Sequence, residues 1–362
     1  MALTGNKGEW SEIYTLLKLL GEGKVHAGDE NLNKINDLFY PIVMILRHDR
    51  GGDYSYRRLD GDVVIQTPEG EELLRVGASV FLEEAEQLLR AINGGKGAFA
   101  VPCIEQFMDR IFCHSLKAKS SDKTDIRIIL HDRRTKLNSE MGFSIKSQLG
   151  GDSTLLNASK ATNFSFRIDG ADLSDEEITY INSLTSSRNK VQERVHAIKE
   201  KGGRLRFDKI VNRTFRNNLT MIDGDLPRII AHLLLKQLDE KVNDLKTLTE
   251  LIAQDNPLGY DSEQDSPFYA YKVKHLLTSV ALGMMPATAW NGYFDANGGY
   301  LVVKKDGEIL CYHFYDRNRF EDYLFSNAYL ERSSTSRHDY ASIEKEDDGT
   351  LSFRLNFQVR LR

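Results

Sequence analysis

The chain has 362 residues, of which 41% are hydrophobic and 28% are charged, a balance that is ordinary for a folded protein and excludes global disorder. Its formal net charge of −5 excludes a general attraction to nucleic acid, so a DNA-binding surface must be a local basic patch. The apolar runs are too short to cross a bilayer, no signal peptide is visible, and the three cysteines lack metal-site spacing. We therefore expect a soluble, cytoplasmic protein without a disulfide framework.

The first predicted element is a helix over Gly8–Gly21, with Gly21 as its stop. Its apolar residues recur at helical spacing, namely Trp10, Ile13, Leu17 and Leu20. Glu9 and Glu12 are three positions apart, so they share a side of the helix that flanks this stripe. Acids in a first turn also favour the helix dipole, so a purely structural role stays open for both.

The region that follows, Val25–Ala100, contains strand and turn patterns over residues 37–76 and an amphipathic helix over Phe81–Ile92. We assign no chemistry to this region and predict that it packs around a catalytic sheet. A further helix is predicted over Ile104–Leu116, and a short basic run leads from it to Asp125.

The most informative stretch is Lys123–Leu149, which contains two short strands joined by a polar loop over Asp132–Glu140. Asp125 stands at the start of the first strand, whereas Ser144 and Lys146 project from one face of the second. If the strands pair, a carboxylate that can hold a divalent cation approaches an ammonium that can steer a nucleophile. Phosphodiester hydrolysis needs these two groups. The alternative is a buried hairpin with Asp125 in a turn and Lys146 in solvent.

Several later residues are candidates for DNA contact. Gln148 continues the face that carries Ser144 and Lys146, and residues 201–216 form the most basic stretch of the sequence. A charge run is also typical of a solvated helix or strand face, so both interpretations stay open. Arg337 and His338 lie in a hydroxyl-rich loop and could read guanine in the major groove. The candidates from the residues alone are Gln148, Arg204, Arg206, Arg213, Arg337 and His338.

The rest of the chain is informative mainly about its fold. Charged and apolar helical patterns occupy Asp175–Lys201 and Leu226–Leu251, and Trp290–Arg362 is strand-rich, with an Asp306-Gly307 hairpin turn. The sequence contains no phosphate-binding loop, dinucleotide fingerprint, serine-hydrolase elbow or zinc-protease motif. The sequence therefore gives no support for four kinds of activity, namely ATP-driven translocation, dinucleotide-dependent catalysis, serine hydrolysis and zinc proteolysis.

Asp125 followed by Ser144-Ile145-Lys146 resembles the PD-(D/E)xK nuclease signature, with serine where the second acid usually stands. Gly142–Phe164, and the STSRH and LNFQVR sequences near the C-terminus, are similar to type II restriction endonucleases of the HpaII family. The resemblance covers nearly the whole chain. It implies an α/β fold, in which a mixed central sheet flanked by helices carries the PD-(D/E)xK core. We expect residues 1–285 to form the catalytic domain and residues 286–362 a strand-rich subdomain that contributes to DNA recognition.

The implied function is that of a Mg²⁺-dependent type II restriction endonuclease acting on double-stranded DNA at a short specific site. The resemblance further implies a target of the CCGG type and products with 5′-phosphate and 3′-hydroxyl ends. It also raises Asn157, Thr162 and Asn163 to candidate DNA contacts, although turns and caps favour the same residue types. The enzyme could act as a single subunit or as a homodimer on a palindromic site. We expect neither a nucleotide cofactor nor association with a membrane.

The catalytic roles also follow from the resemblance. Asp125 and the carbonyl of Ile145 would hold the metal, Lys146 would orient the attacking water, and Ser144 would hydrogen-bond beside the metal. The missing acid is assigned to the first helix, where Glu12 resembles the helix motif of such nucleases. Glu9 ranks second. Glu140 ranks third, because four strand residues place it about 13 Å from Ser144.

Two other functions stay open at this point. A DNA-repair or junction-resolving nuclease on the same fold would recognise structure or lesions instead of sequence. A catalytically inactive DNA-binding protein is the second alternative, because the motif lacks its usual second acid. A plasmid digest that gives discrete fragments separates the restriction enzyme from the repair nuclease, and DNA binding without cleavage in every metal would support the inactive protein.

Overall fold

The computed structural model describes residues 2–49, 51–117, 124–133, 136–184, 189–261, 263–332 and 334–362. The first part of the chain contains α1 (Lys7–Glu22), β1 (Lys24–Gly28), β2 (Lys34–Asp49), β3 (Gly52–Leu59), β4 (Asp62–Gln66), β5 (Glu72–Gly77), α2 (Ala78–Gly94), α3 (Pro102–Arg110), β6 (Ile126–His131) and β7 (Asn138–Ser147). The middle part contains β8 (Ser153–Leu156), a 3₁₀ turn (Lys160–Thr162), β9 (Asn163–Asp169), α4 (Asp175–Ser183), α5 (Lys190–Glu200), β10 (Arg204–Ile210), α6 (Arg213–Ile222), α7 (Leu226–Glu240), α8 (Leu245–Asp255) and α9 (Phe268–Leu282). The last part contains β11 (Gly299–Val303), β12 (Ile309–His313), α10 (Arg317–Asn327), β13 (Ala328–Leu330), α11 (Thr335–His338), β14 (Ile343–Lys345), β15 (Leu351–Asn356) and β16 (Val359–Leu361). Across these ranges, no helix has the length and apolar character needed to cross a membrane.

The chain divides into two compact units that differ from the predicted domains. The first unit is Met1–Ser153, Ala281–Gly283 and Phe294–Tyr323, and the second is Thr154–Val280, Met284–Tyr293 and Leu324–Arg362. The predicted boundary between residues 285 and 286 does not match this division. The reason is strand pairing, because β11 and β12 hydrogen-bond to β7 and β1 inside the first unit.

A mixed sheet forms the centre of the first unit. Within the described residues its strand order is β1-β12-β11-β7-β6-β2-β3-β4-β5, and β1 also pairs with β2. The long strand β2 pairs with β1 through its first half and with β6 and β3 through its second half, so the pairings close into a ring. The pairs β1–β12 and β11–β7 are parallel and the others antiparallel, which confirms a mixed α/β fold.

The region Val25–Ala100 has a larger role than predicted. It supplies β1 to β5 of the central sheet, as well as α2, and does not merely pack around that sheet. Its buried strand residues, among them Ile45, Tyr56 and Val63, belong to the same core as the hairpin residues Ile128 and Phe143. The predicted helix after it is shorter than expected, since α3 ends at Arg110.

Helix α1 is capped at both ends. Asn6 and Glu9 form a capping box at its start, and Gly23, with φ of 66°, ends it in the left-handed conformation. The prediction that Gly21 ends the helix is therefore wrong. A Cβ atom at Gly21 would lie 2.5 Å from the side chain of Leu82, so glycine is needed there for close packing of α1 on α2.

The predicted β-hairpin is present as β6 and β7, paired from Ile126 opposite Phe143 to His131 opposite Asn138. The alternating apolar residues of its first strand are buried, as the period-two pattern predicts. The loop is shorter than the predicted Asp132–Glu140, because pairing already begins at Asn138. Glu140 is thus a strand residue opposite Ile129.

The second unit contains two smaller sheets, with strand orders β10-β9-β15-β14 and β13-β16-β8. Phenylalanines on these strands and on α6 form part of its core, among them Phe164, Phe166, Phe215 and Phe353. The predicted helix over Leu226–Leu251 is two helices, α7 and α8. Lys241, with φ of 56°, ends α7, and the Asp244 side chain caps α8.

Candidate active site

Asp125 is fixed to β7 by backbone and side-chain hydrogen bonds. Its amide donates to the carbonyl of Phe143 at 2.9 Å, which continues the pairing of the hairpin. Its Oδ2 atom accepts a hydrogen bond from the Ser144 hydroxyl at 3.0 Å and another from the Ile145 amide at 2.6 Å. The structure therefore brings Asp125, Ser144 and Ile145 together, as the sequence predicts.

The carbonyl of Ile145 points toward the same side of β7 as this carboxylate. In a strand, the N–H and C=O groups of one residue point to the same neighbour. Because the Ile145 amide donates to Asp125, we infer that its carbonyl is also directed past the end of β6. A carboxylate oxygen and a carbonyl oxygen on one side of the strand are suitable ligands for a hard divalent cation.

Lys146 is partly buried, so the alternative of a fully solvated lysine does not fit the structure. Its Nζ atom lies 4.9 Å from the centroid of the Tyr300 ring. Burial lowers the pKa of the Lys146 ammonium, and the nearby charge of Asp125 acts in the opposite direction. Over the described ranges Lys146 forms no ion pair or side-chain hydrogen bond, so its N–H donors remain available to a substrate.

Glu12 reaches the same region from helix α1. A hydrogen bond of 2.7 Å between the hydroxyls of Ser11 and Ser147 attaches the helix to β7. Ser11 immediately precedes Glu12 in the sequence, and Ser147 immediately follows Lys146. Burial, and then the charge of Asp125, raise the pKa of the Glu12 carboxyl to about 8. A buried carboxyl group whose pKa is raised by a neighbouring carboxylate is typical of a cation site or a catalytic pair.

Glu9 and Glu140, the other candidate acids, already have partners. Glu9 accepts from the Asn6 amide in the capping box, and its Oε1 atom lies 2.9 Å from Nζ of Lys117. The hydrogen bond from Lys117 is the main cause of a lowered pKa for Glu9. Glu140 accepts a hydrogen bond of 2.9 Å from Arg127. These contacts favour Glu12 over both, and the ranking stays a prediction.

Lys117 is a neighbour of the site that the sequence analysis did not select. Besides its ion pair with Glu9, its positive charge lowers the pKa of Glu12. Its carbonyl accepts a hydrogen bond of 3.0 Å from the Ser115 hydroxyl, which lies 3.1 Å from a carboxylate oxygen of Asp49. The basic run before Asp125 in the sequence indicated a positive charge near the site. The sequence could not show that Lys117 lies close to Glu9 on α1, because that proximity depends on the tertiary fold.

The donors around Asp125 are oxygen atoms, the ligand type that a hard divalent cation prefers. In the part of the chain that the structure describes, no group of three or more His, Cys, Asp or Glu side chains could hold a metal ion. Magnesium is usually bound by one or two carboxylates and completes its shell with water and substrate phosphates. Asp125, Glu12 and the Ile145 carbonyl match that donor set.

A cleft of about 520 Å³ opens beside Asp125. Its lining includes the basic side chains of Arg47, His48 and Arg127. Arg47 is held by the buried carboxylate of Asp49, with 3.0 Å between Nε and Oδ2. The acids Asp53 and Glu140 line the same cleft and pair with His48 and Arg127, so the lining carries charges of both signs and leads directly to Asp125.

Thr162 and Asn163 lie inside the second unit and are 0% and 2% exposed. The Asn356 amide donates to both side chains, at 3.1 Å to Thr162 and 2.7 Å to Asn163. Asn163 in turn donates to the carbonyl of His338 at 2.8 Å. Buried polar groups need such internal partners, and their burial argues against the predicted direct contact with DNA.

Other candidate DNA contacts are accessible or partly accessible. Asn157 and Arg337 are exposed, and Gln148 at the end of β7 is partly buried. The segment with Arg337 and His338 forms the short helix α11, which differs from the predicted loop. The Asn163 hydrogen bond fixes the backbone of this helix, so Asn163 supports a candidate contact instead of making one.

Acidic partners in the fold offset part of the positive charge of the basic stretch, residues 201–216. Arg204, Arg206 and Arg213 are all exposed. Arg206 is paired with Asp169 at 2.5 Å, an acid that lies on the neighbouring strand β9. Neither Arg204 nor Arg213 has an ion pair within the described ranges. These two arginines are therefore the stronger candidates for phosphate contact.

We expect replacement of Arg204, Arg206 and Arg213 by alanine to weaken binding of all DNA sequences to a similar degree. If all three contact phosphates, the plot of log affinity against log salt should flatten by about one unit per contact. Fluorescence anisotropy with specific and nonspecific duplexes measures both effects. Lys246→Ala, an exposed change on α8, is the matched control. An unchanged slope would identify the stretch as a solvated face.

We expect the metal-free protein to lose stability as the pH rises toward 8. The raised pKa of Glu12 means that the folded state keeps a proton that the unfolded chain releases above about pH 4. The free energy of unfolding should therefore fall by about 2 kcal/mol between about pH 6 and about pH 8. Urea unfolding in the presence of a chelator measures it. Glu12→Gln should abolish most of this fall, and a parallel fall in the variant would contradict the assignment.

Comparisons with known proteins identify the family of the chain. The model of the HpaII restriction endonuclease family matches residues 6–361. The chain is 45% identical to the type II restriction enzyme HpaII of Haemophilus parainfluenzae over 359 residues, which are 99% of this chain and 98% of that protein. No solved structure matches the chain significantly. The predicted resemblance is confirmed, and the chain belongs to the HpaII restriction endonuclease family.

Proposed function

We propose that this protein is a Mg²⁺-dependent type II restriction endonuclease with a PD-(D/E)xK active site. Membership of the HpaII restriction endonuclease family is the evidence for site-specific cleavage of DNA. The observation that supports the catalytic assignment is the contact of Asp125 with Ser144 and Ile145, with Lys146 next along the same strand. Enzymes of this type generally use divalent metal ions, and the oxygen donors around Asp125 suit magnesium.

Each side chain has a distinct role in this proposal. Asp125, Glu12 and the Ile145 carbonyl would hold the cation, and Ser144 would keep the Asp125 carboxylate in place through its hydrogen bond. A bound divalent cation supplies charge neutralisation at the phosphate and makes a water molecule more acidic. Lys146 would orient the attacking water and stabilise the negative charge that develops on the phosphate in the transition state.

Ionisation of Glu12 would be coupled to this binding. Its raised pKa means that the carboxyl carries a proton in much of the metal-free protein at neutral pH. If Glu12 and Asp125 hold a cation together, the charge that opposes ionisation of Glu12 would be neutralised, and Glu12 should release that proton on metal binding. Lys117 and Arg47 also favour the ionised form of Glu12, which limits the cost of charging a buried group.

The target, the products and the reading of bases belong to the same proposal. The resemblance to HpaII-family enzymes motivates a CCGG-like target and products with 5′-phosphate and 3′-hydroxyl ends. We propose that Arg337 and His338 on α11 read base edges, and that Arg204 and Arg213 contact phosphates. A homodimer would match the two halves of a palindromic site.

Digestion of a plasmid with Mg²⁺, followed by sequencing of the ends, tests this function. We expect discrete fragments whose ends share one short sequence and carry 5′-phosphates. Cleavage confined to branched or damaged DNA would favour a repair or junction-resolving nuclease. Binding without cleavage in Mg²⁺ and in Mn²⁺ would favour an inactive DNA-binding protein.

A further inference from the structure

The side chain of Lys146 contacts Tyr300 on the neighbouring strand β11. The two strands are parallel, with Tyr300 opposite Ser144 and Val302 opposite Lys146. Residues directly opposite each other project from the same face of a sheet, so Tyr300 shares the face of Ser144 and Lys146. The Tyr300 ring therefore lies diagonally next to the lysine side chain.

The Tyr300 ring is rigidly held. It is 1% exposed and packs edge-on against Phe320, with 5.3 Å between the ring centroids. Its hydroxyl donates to the carbonyl of Ala281 at 3.3 Å. A ring fixed by packing and by a hydrogen bond can act as a template for a flexible lysine side chain, and its attraction offsets part of the conformational entropy that the lysine loses when it is ordered.

The contact between Lys146 and this ring has the geometry of a cation–π interaction. The distance of 4.9 Å from Nζ to the ring centroid lies within the usual limit of about 6 Å. A carboxylate partner would occupy N–H donors of the ammonium, whereas the ring attracts the charge through its negative face. Within the described residues Lys146 makes no side-chain hydrogen bond or ion pair, so the ring face and the nearby charge of Asp125 are the attractions that act on its ammonium.

We propose that Tyr300 is a positioning residue that holds the Lys146 ammonium at the active site through its ring face and leaves the N–H donors free. The inference rests on the proposed catalytic role of Lys146. The ring places the charge next to Asp125, and its attraction also offsets part of the cost of burying an ammonium. Tyr300 itself touches neither the water nor the phosphate in this arrangement.

A series of fluorinated phenylalanines at position 300 tests this inference. Added fluorine atoms weaken the negative potential of the ring face with little change in shape. We expect Tyr300→Phe to cleave at nearly the wild-type single-turnover rate. Along the series the logarithm of the rate should fall steadily, by between about twofold and about thirtyfold in total, while DNA affinity stays unchanged. A rate independent of fluorination would overturn the proposal.

Two controls separate the possible failures. The same fluorinated residues at Phe81, a buried ring in α2, should leave the rate unchanged, because no cation–π pair involves that ring among the described residues. Lys146→Ala tests the underlying function. If Lys146→Ala cleaves normally, the proposed role of Lys146 fails. If Lys146→Ala is inactive and the fluorinated series is flat, only the role of Tyr300 fails.

Discussion

We expect Lys146→Ala to reduce the rate of DNA cleavage by about a thousandfold or more while leaving specific DNA binding close to the wild-type level. The physical reason is that the proposed interaction of the ammonium develops with the charge of the transition state and contributes little to docking. Single-turnover cleavage and a binding assay in Ca²⁺ separate the two quantities. Asp125→Asn should lose cleavage to a similar degree and should also bind the metal more weakly.

An exposed lysine on the loop after β11 provides the control for this experiment. Lys305→Ala removes the same charge from the surface of the same unit and should cleave normally. Cleavage near the wild-type rate by Lys146→Ala or by Asp125→Asn would remove the active-site assignment. Loss of specific binding in Lys146→Ala would instead indicate that the lysine contacts DNA in the ground state.

The second large effect is expected for Glu12→Gln, which keeps the shape of the side chain and removes its charge. We expect cleavage to fall about as severely as in Asp125→Asn, because one carboxylate and a carbonyl would leave the cation under-neutralised. The metal-free variant should at the same time be more stable than the wild type at about pH 8, since it no longer buries an ionisable carboxyl. Loss of activity with a gain in stability is not expected from simple misfolding.

Glu9→Gln and Glu140→Gln are matched controls. Each removes one carboxylate that already has a partner outside the proposed metal site. Glu9→Gln should reduce cleavage less than Glu12→Gln, through its capping box and its contact with Lys117. Glu140→Gln should have the smallest effect, because its carboxylate is paired with Arg127. If Glu140→Gln were inactive and Glu12→Gln cleaved normally, the hairpin would supply the acid and α1 would be only scaffold.

The hairpin could be predicted from sequence because its information is local. Alternation in β6 and β7 has a period of two, and this period sets which face carries Ser144 and Lys146. The pairing of β7 with β11 could not be predicted in this way. It joins residues 143–147 to residues 299–303, and no local pattern specifies a partner strand at that distance.

Polar residues were the least predictable part of the site. Thr162 and Asn163 have the composition of a DNA-contacting loop, yet they hydrogen-bond to Asn356 in the interior of the second unit. Hydroxyl and amide groups serve a substrate and a buried network equally well, so their residue types do not distinguish the two roles. Gly21 is a similar case, because glycine is used both to end helices and to let helices approach closely.

The position of β11 has a consequence for synthesis of the enzyme in its host. Every residue proposed to act directly on the phosphate has left the ribosome well before residues 299–303 are made. At about 5–20 residues per second, β7 then waits for roughly 10–30 s with one edge unpaired. During this delay the lysine lacks its aromatic support, so the nascent chain should be a poor nuclease. Strand β7 therefore reaches its final pairing only after residues 299–303 have joined the sheet, long after its own synthesis.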